Sequence, residues 1–202
     1  MIRTSEITRK TKETSIYVKI NLDGSGTANI QTGIGFFDHM LTAFAVHGCF
    51  DLEVQAKGDL HIDAHHTIED VGIALGQAFN QAMGDKKGIV RVANSYVPMD
   101  EALAFVALDI SGRPYWVINV QWHGEYVGNG KDYLIPTSLL EHFFQSIAVH
   151  AEITLHIKEE LGKDNHHIAE AIFKAFTRSL DQASRMDTKR GLQIPSSKGS
   201  LG

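Results

Sequence analysis

Apolar and polar residues alternate through SIYVKINLDGSG (Ser15 to Gly26), with Ile16, Val18, Ile20 and Leu22 on one face until Asp23-Gly24 breaks the run. That period of two marks a half-buried strand that ends in a turn. ALAFVALDISGRPYWVINVQW (Ala102 to Trp122) has the same character, and its break falls at Ser111-Gly112. Downstream of each break the spacing lengthens. Phe36, Phe37, Met40, Leu41 and Phe44, and later Leu139, Leu140, Phe143, Phe144 and Ile147, fall on one face of a helix. A short strand follows each helix (Leu52 to Ala56; Ile153 to Ile157). A second helical run then carries Ile68, Val71, Gly72, Leu75 and Phe79, or Ile168, Ile172, Ala175 and Leu180. Gly84 and Gly191 are placed to end these helices. The pattern predicts two copies of strand, strand, helix, strand, helix: a tandem-duplicated α+β fold with sheets packed against a helix layer.

The repeat extends to polar residues. FFDHMLTAFAVHG (Phe36 to Gly48) matches LLEHFFQSIAVHA (Leu139 to Ala151) in kind and order, so His39 and His47 correspond to His142 and His150. Aligning Gly24 with Gly112 sets Glu13 opposite Glu101, an acidic residue before a strand in each half. DAHHTIED (Asp63 to Asp70) and DNHHIAEA (Asp164 to Ala171) then place a His-His-x-x-Glu signature in both. Only Gly124 to Pro136 (GEYVGNGKDYLIP) lacks a counterpart, and it reads as a loop over a site or at a subunit contact.

On a helix, positions i and i+4 share a face, whereas i and i+1 diverge by roughly 100°. His65 can therefore act with Glu69, and His166 with Glu170, while His66 and His167 point elsewhere. With His39 and His142 completing the sets, pseudo-twofold logic predicts one ion on His65, Glu69, His142 and His167. The other would sit on His39, His66, His166 and Glu170. Four ligands leave open positions on a six-coordinate ion. Nitrogen and carboxylate donors without thiolate suit Mn(II), Fe(II) or Co(II) at least as well as zinc. His47 and His150 fit a pocket lining, with a capping or core role the close alternative, and His61, His123 and His156, which lack repeat partners, read as solvated or hydrogen-bonded.

Composition narrows the rest. The chain has 202 residues, 43% of them hydrophobic, enough for a sizeable core. No apolar run is long enough for a membrane span, and the N-terminus lacks the apolar stretch of a secretory signal, so a cytoplasmic location is expected. The single cysteine, Cys49, cannot form an intrachain disulfide, and between Gly48 and Phe50 it reads as a small core residue. A net charge of −5 gives no electrostatic reason to expect nucleic acid.

With FFDHML, DAHHTIEDVGIALGQA, ISGRPY, LLEHFF, NHHIAEAIFKAF and the tail IPSSKG in order, the chain resembles the imidazoleglycerol-phosphate dehydratase family over nearly its whole length. The resemblance implies a monofunctional histidine-biosynthesis lyase with a fold related to the second domain of ribosomal S5. It implies two Mn2+ per active site and a closed homo-oligomer of octahedral symmetry, a 24-mer, with sites between subunits. The organisation becomes a first half at 1–90, a second at 91–187 and a tail at 188–202 that contributes to a phosphate site. Arg91, Arg113, Ser196, Ser197 and Lys198 match the family's phosphate contacts. Without the resemblance, Arg113 would be a turn arginine and the tail a disordered end.

The reaction so implied converts D-erythro-imidazole glycerol 3-phosphate to imidazole acetol phosphate. The hydrogen to be removed is not acidic. Two metals on the two ring nitrogens would hold an imidazolate, which could expel hydroxide to a diazafulvene and so acidify the neighbouring C–H. Such a bridge sets the ions roughly 6 Å apart, against about 3.5–4 Å in a hydroxide-bridged pair. The base must be a non-ligand. Glu13 is the first choice, by resemblance and by its place before a strand, against the reading of one more solvated charge. Glu101, its counterpart, is expected to be structural only. Lys174, four residues after Glu170, either reaches substrate or is a solvated helix lysine. A dinuclear hydrolase and a metal-storage oligomer are the competing classes. The first normally needs bridging carboxylates, and the second leaves the arginines and the Ser-Ser-Lys tail without a purpose.

Overall fold

In the computed structural model of the chain, which describes residues 3–128 and 133–201, the predicted order is present in each half and is preceded by one further strand. The first half runs β1 (Thr4–Lys10), β2 (Thr14–Asn21), β3 (Ala28–Gln31), α1 (Gly35–Gly48), β4 (Asp51–Gly58) and α2 (His65–Met83). The second runs β5 (Val92–Met99), β6 (Ala102–Asp109), β7 (Tyr115–Asn119), the short pair β8 (Tyr126–Val127) and β9 (Ile135–Pro136), α3 (Thr137–His150), β10 (Thr154–Leu161) and α4 (Asn165–Ser184). Sheet orders are β1-β2-β4-β3 and β5-β6-β10-β7, the same topology twice. In each, the third strand lies parallel to its neighbour and the other pairings are antiparallel. β1 and β5 escape the alternation because they are edge strands that bury little: Ser5 in one, Ala93 and Val97 in the other, with Pro98 where no ladder donor is needed.

The alternation in β2 and β6 does its predicted work. Ile16, Val18 and Ile20, and Ala104, Val106 and Leu108, face the core, where the helices cover them. α2 packs on β1 and β2, and α4 on β5 and β6, but helix partners are exchanged: α1 packs on α4, and α2 on α3. Phenylalanines fill the seam between the helix pairs. Phe37 meets Phe143 edge-on with ring centres 5.1 Å apart, and Phe143 stacks on Phe173 at 5.5 Å. Phe37, Phe143 and Phe173 are fully buried, and burial stabilises by about 1.5–3 kcal/mol for each such side chain.

Two expectations fail locally. α4 ends at Ser184, not near Gly191, because the following residues are captured by the segment before β5. Val90 N–H donates to the Arg185 carbonyl, Asp187 N–H donates to the Gly88 carbonyl, and Met186 bridges Ile89. Gly191 serves a later turn, at φ +59°. Cys49 is exposed and not a core residue. It is the left-handed C-cap of α1, so its side chain leaves the helix end while Gly48 and Phe50 on either side are buried.

The α2·α3 seam is set by glycine. A Cβ on Gly76 would lie 2.9 Å from the Ile147 carbonyl oxygen and 2.9 Å from His150 Cβ, so a side chain there must push the helices apart. Gly76→Val is expected to destabilise by roughly 1–3 kcal/mol, the range for an overpacked core, read as a lower midpoint in chemical denaturation.

Candidate metal centre

The exchanged helix partners bring predicted ligands of both halves together. His65 and Glu69 on α2 meet His142 on α3, and His166 and Glu170 on α4 meet His39 on α1, with each triad's donor atoms within 4.8 Å of one another. Within the first, Glu69 lies 3.2 Å from His142 Nε2 and 3.8 Å from His65 Nε2. Within the second, Glu170 Oε2 lies 3.3 Å from His39 Nε2 and 3.4 Å from His166 Nε2. Asp63 and Asp164 fix the helix starts by accepting the N–H of His65 and His166, each at 2.7 Å. Two imidazoles and one carboxylate converging on a point form a donor set that fits a divalent transition ion.

His66 and His167 stand outside these triads. His66 Nδ1 lies 3.0 Å from Asp59, and the hydrogen bond raises its pKa. His167 Nδ1 lies 2.7 Å from Glu101, with the same effect on that imidazole. Glu101 also accepts the N–H groups of Lys163 and Asp164. These bonds, the Asp164 N–H first and then His167, lower its carboxyl to about 2. Asp59 carries no signal in the motif. Only a comparison of the two strand ends, Gly58-Asp59 against Gly162-Lys163, singles it out.

Glu13 sits in the β1–β2 turn, which Thr11 braces by accepting the N–H of Glu13 and of Thr14. The Glu13 carboxylate is 4.0 Å from His66 Nδ1 and more than half exposed. Behind it, Asp70 on α2 takes Arg9 Nε at 2.7 Å and the Thr14 hydroxyl, which pins the turn to the helix that carries Glu69. Lys174 Nζ lies 2.6 Å from Glu170 Oε1. Burial opposes the Glu170 charge, but Lys174 and then His39 outweigh it and hold the carboxyl below its usual range. His47 has its pKa lowered by partial burial and by Lys174 and Arg178 nearby.

The phosphate candidates are less gathered. Arg91 is held bidentately by Asp109 at 2.6 and 2.9 Å and donates to the Pro195 carbonyl at 2.7 Å, so it clasps the tail that carries Ser196, Ser197 and Lys198. That tail is docked, since Gly88 N–H also donates to the Gln193 carbonyl. Arg113 is exposed in the turn after β6, its NH1 donating only weakly at 3.4 Å to the Ser111 carbonyl.

Residues 129–132 of the unmatched insertion lie outside the described residues, and its described residues line cavities beside both triads. Tyr126, Tyr133, Leu134 and Pro136 join His65 and His142 around a cavity of about 600 Å³. Gly128 and Phe36 join His39 and His166 around one of about 260 Å³.

A duplicated α+β chain with two histidine–carboxylate clusters formed between its halves has the arrangement of a metal-dependent enzyme. Residues 32–180 match the imidazoleglycerol-phosphate dehydratase family. The imidazoleglycerol-phosphate dehydratase of Acetivibrio thermocellus is 57% identical over 201 residues, 100% of each chain, and that of Roseiflexus sp. is 53% identical over 199 residues, 98% of each. Among solved structures, the Staphylococcus aureus dehydratase superposes with a TM-score of 0.78 at 40% identity, over 89% of this chain and 97% of that one. The Pyrococcus furiosus enzyme, in complex with (S)-C348, gives 0.81 at 36%, over 96% and 100%. The chain belongs to the imidazoleglycerol-phosphate dehydratase family and is a hydro-lyase.

If each triad holds its own ion, His142→Ala and His39→Ala will each remove one of the two ions and spare the other. Metal analysis of the desalted proteins checks this, and unchanged metal content in both variants would exclude the triads as sites.

Proposed function

We propose that the chain dehydrates D-erythro-imidazole glycerol 3-phosphate to imidazole acetol phosphate in cytoplasmic histidine biosynthesis, with two Mn2+ per active site. The observation that carries this reading is the pair of separate His-Glu-His triads, with the exposed Glu13 beside His66, a histidine of the same motif that stands outside them. Glu69 and Glu170 belong to different triads and neither is shared, unlike the bridging carboxylates that hold the ions of a dinuclear hydrolase close.

His65, Glu69 and His142 would hold one ion, and His39, His166 and Glu170 the other. His167 and His66, turned away from these triads within one chain, would complete the two sets in neighbouring copies, as expected of sites shared between subunits of a closed 24-mer. When bound, the ions supply Lewis acidity that favours the imidazolate form of the ring, from which hydroxide can leave toward a diazafulvene.

Everything else falls to the chain. Glu13, more than half exposed and 4.0 Å from the His66 imidazole, would take the C–H proton that becomes acidic once hydroxide leaves. Lys174 keeps Glu170 ionised and retains further N–H groups for substrate oxygen. His47, beside Lys174 and with its pKa lowered, would offer a neutral imidazole to the same region. Arg113 and the Ser196, Ser197 and Lys198 segment would take the phosphate, with Arg91 holding that segment in place. The working unit is two halves, 1–90 and 91–187, served by a tail, 188–202. Tyr126 and Tyr133 cover the cavity beside His65 and His142, where an apolar cover keeps bulk water from a reactive intermediate.

Supplied with Mn(II) and imidazole glycerol phosphate, the protein is expected to yield the ketone. Glu13→Gln should lower kcat by about 10²-fold or more, as removal of a general base does, with metal content unchanged. Phosphate release without ketone would overturn the reading in favour of a hydrolase. Truncation after Ile194 is expected to raise KM strongly and leave metal content at the wild-type level. Unaltered kinetics in that variant would remove the tail from the site.

A further inference from the structure

The histidines that point away from the triads are each backed by a carboxylate, and the two carboxylates come from non-equivalent places in the repeat. His66 Nδ1 faces both oxygens of Asp59, at 3.0 and 3.2 Å. His167 Nδ1 faces Glu101 Oε2 at 2.7 Å. A carboxylate at Nδ1 accepts that nitrogen's proton, which fixes the tautomer and leaves the lone pair on Nε2. Among the described residues, the nearest acid to His167 Nε2 is the exposed Asp100 at 3.7 Å, outside hydrogen-bond range. Both rings hydrogen-bond, among the described residues, only through Nδ1, which leaves the Nε2 lone pair to bind an ion.

Packing at two glycines establishes which residues correspond. A Cβ on Gly58 would strike Thr67, the residue after His66, and a Cβ on Gly162 would strike Ile168, the residue after His167. Gly58 also lies against Thr14, and Gly162 against Ala102, so Glu13 and Glu101 each occupy the position just before these neighbours. The glycines are equivalent, and the residues after them are Asp59 in the first half and Lys163 in the second. Lysine cannot accept the Nδ1 proton. In the second half the acid before the strand, Glu101, does so, and it is held by the backbone N–H groups of Lys163 and Asp164. In the first half Asp59 occupies Nδ1 of His66, and the corresponding glutamate, Glu13, stands 4.0 Å away and mostly in solvent.

We propose that Asp59 and Glu101 are positioning residues that hold His66 and His167 with Nε2 presented to a metal ion. The transfer of that duty to Asp59 in the first half is what leaves Glu13 free for substrate. The inference rests on the metal reading of the two His-His motifs given above, and the experiment separates the two.

Mn(II) affinity of the assembled protein is measured from the electron paramagnetic resonance signal of the free ion, with circular dichroism and particle size followed in parallel. Asp59→Asn and Glu101→Gln should each weaken binding by about 10–100-fold, the usual cost of losing an outer partner of a metal-bound histidine. Glu13→Gln should keep wild-type affinity while losing turnover. Asp59→Glu and Glu101→Asp, which retain a carboxylate, should recover most of the loss. Wild-type affinity in both amide variants, or an equal loss of metal in Glu13→Gln, would overturn the proposal. If an amide variant does not fold, Asp59→Ser and Glu101→Ser, which admit a water, are read for the same two outcomes. Failure of the wild-type protein to bind Mn(II) would instead overturn the metal reading itself.

Discussion

The packing of α1 on α4 and of α2 on α3 sets the distance between groups that no single half could bring together. Each triad takes two residues from the first two turns of one helix and a histidine from a helix of the other half. The close contact at Gly76 sets the approach of α2 to α3, and the stack of Phe143 on Phe173 ties the two helix pairs together. Well-packed interiors give little under strain, so donor spacing is a property of the core and not of the loops above it.

Given that frame, the two clusters differ in charge. Glu170 has Lys174 at 2.6 Å and is deeply buried, whereas Glu69 is half-exposed and the residue four positions on is Ile73. The cluster with the ammonium beside it carries less net negative charge toward a cation. The cavities differ as well: Tyr126 and Tyr133 line the larger one, beside His65 and His142, and Gly128 and Phe36 line the smaller one, beside His39 and His166. The repeat preserves ligand type while the surroundings of each triad have diverged.

The helices and central strands were legible in the sequence because one face of each is buried in a regular period. β1 and β5 were not, since an edge strand such as TSEITRK buries too little to leave a pattern. The triads followed from i, i+4 spacing together with the matched His39 and His142. Asp59 was invisible because its role depends on a turn that folds it back seven residues onto His66. Arg91, which the resemblance matches to a phosphate contact, also bonds Asp109 and the Pro195 carbonyl, a tie to the tail that the sequence did not show. Cys49 was misread for a local reason: a left-handed cap turns a side chain outward whatever its neighbours do.

The mismatch between Gly58-Asp59 and Gly162-Lys163 bears on how such a chain can change over time. A chain built of two first halves would hold an aspartate behind each outward histidine and leave two glutamates loose. A chain built of two second halves would tie both glutamates down and leave none. The looseness of Glu13 relative to Glu101 therefore lasts only while the two copies differ at this position.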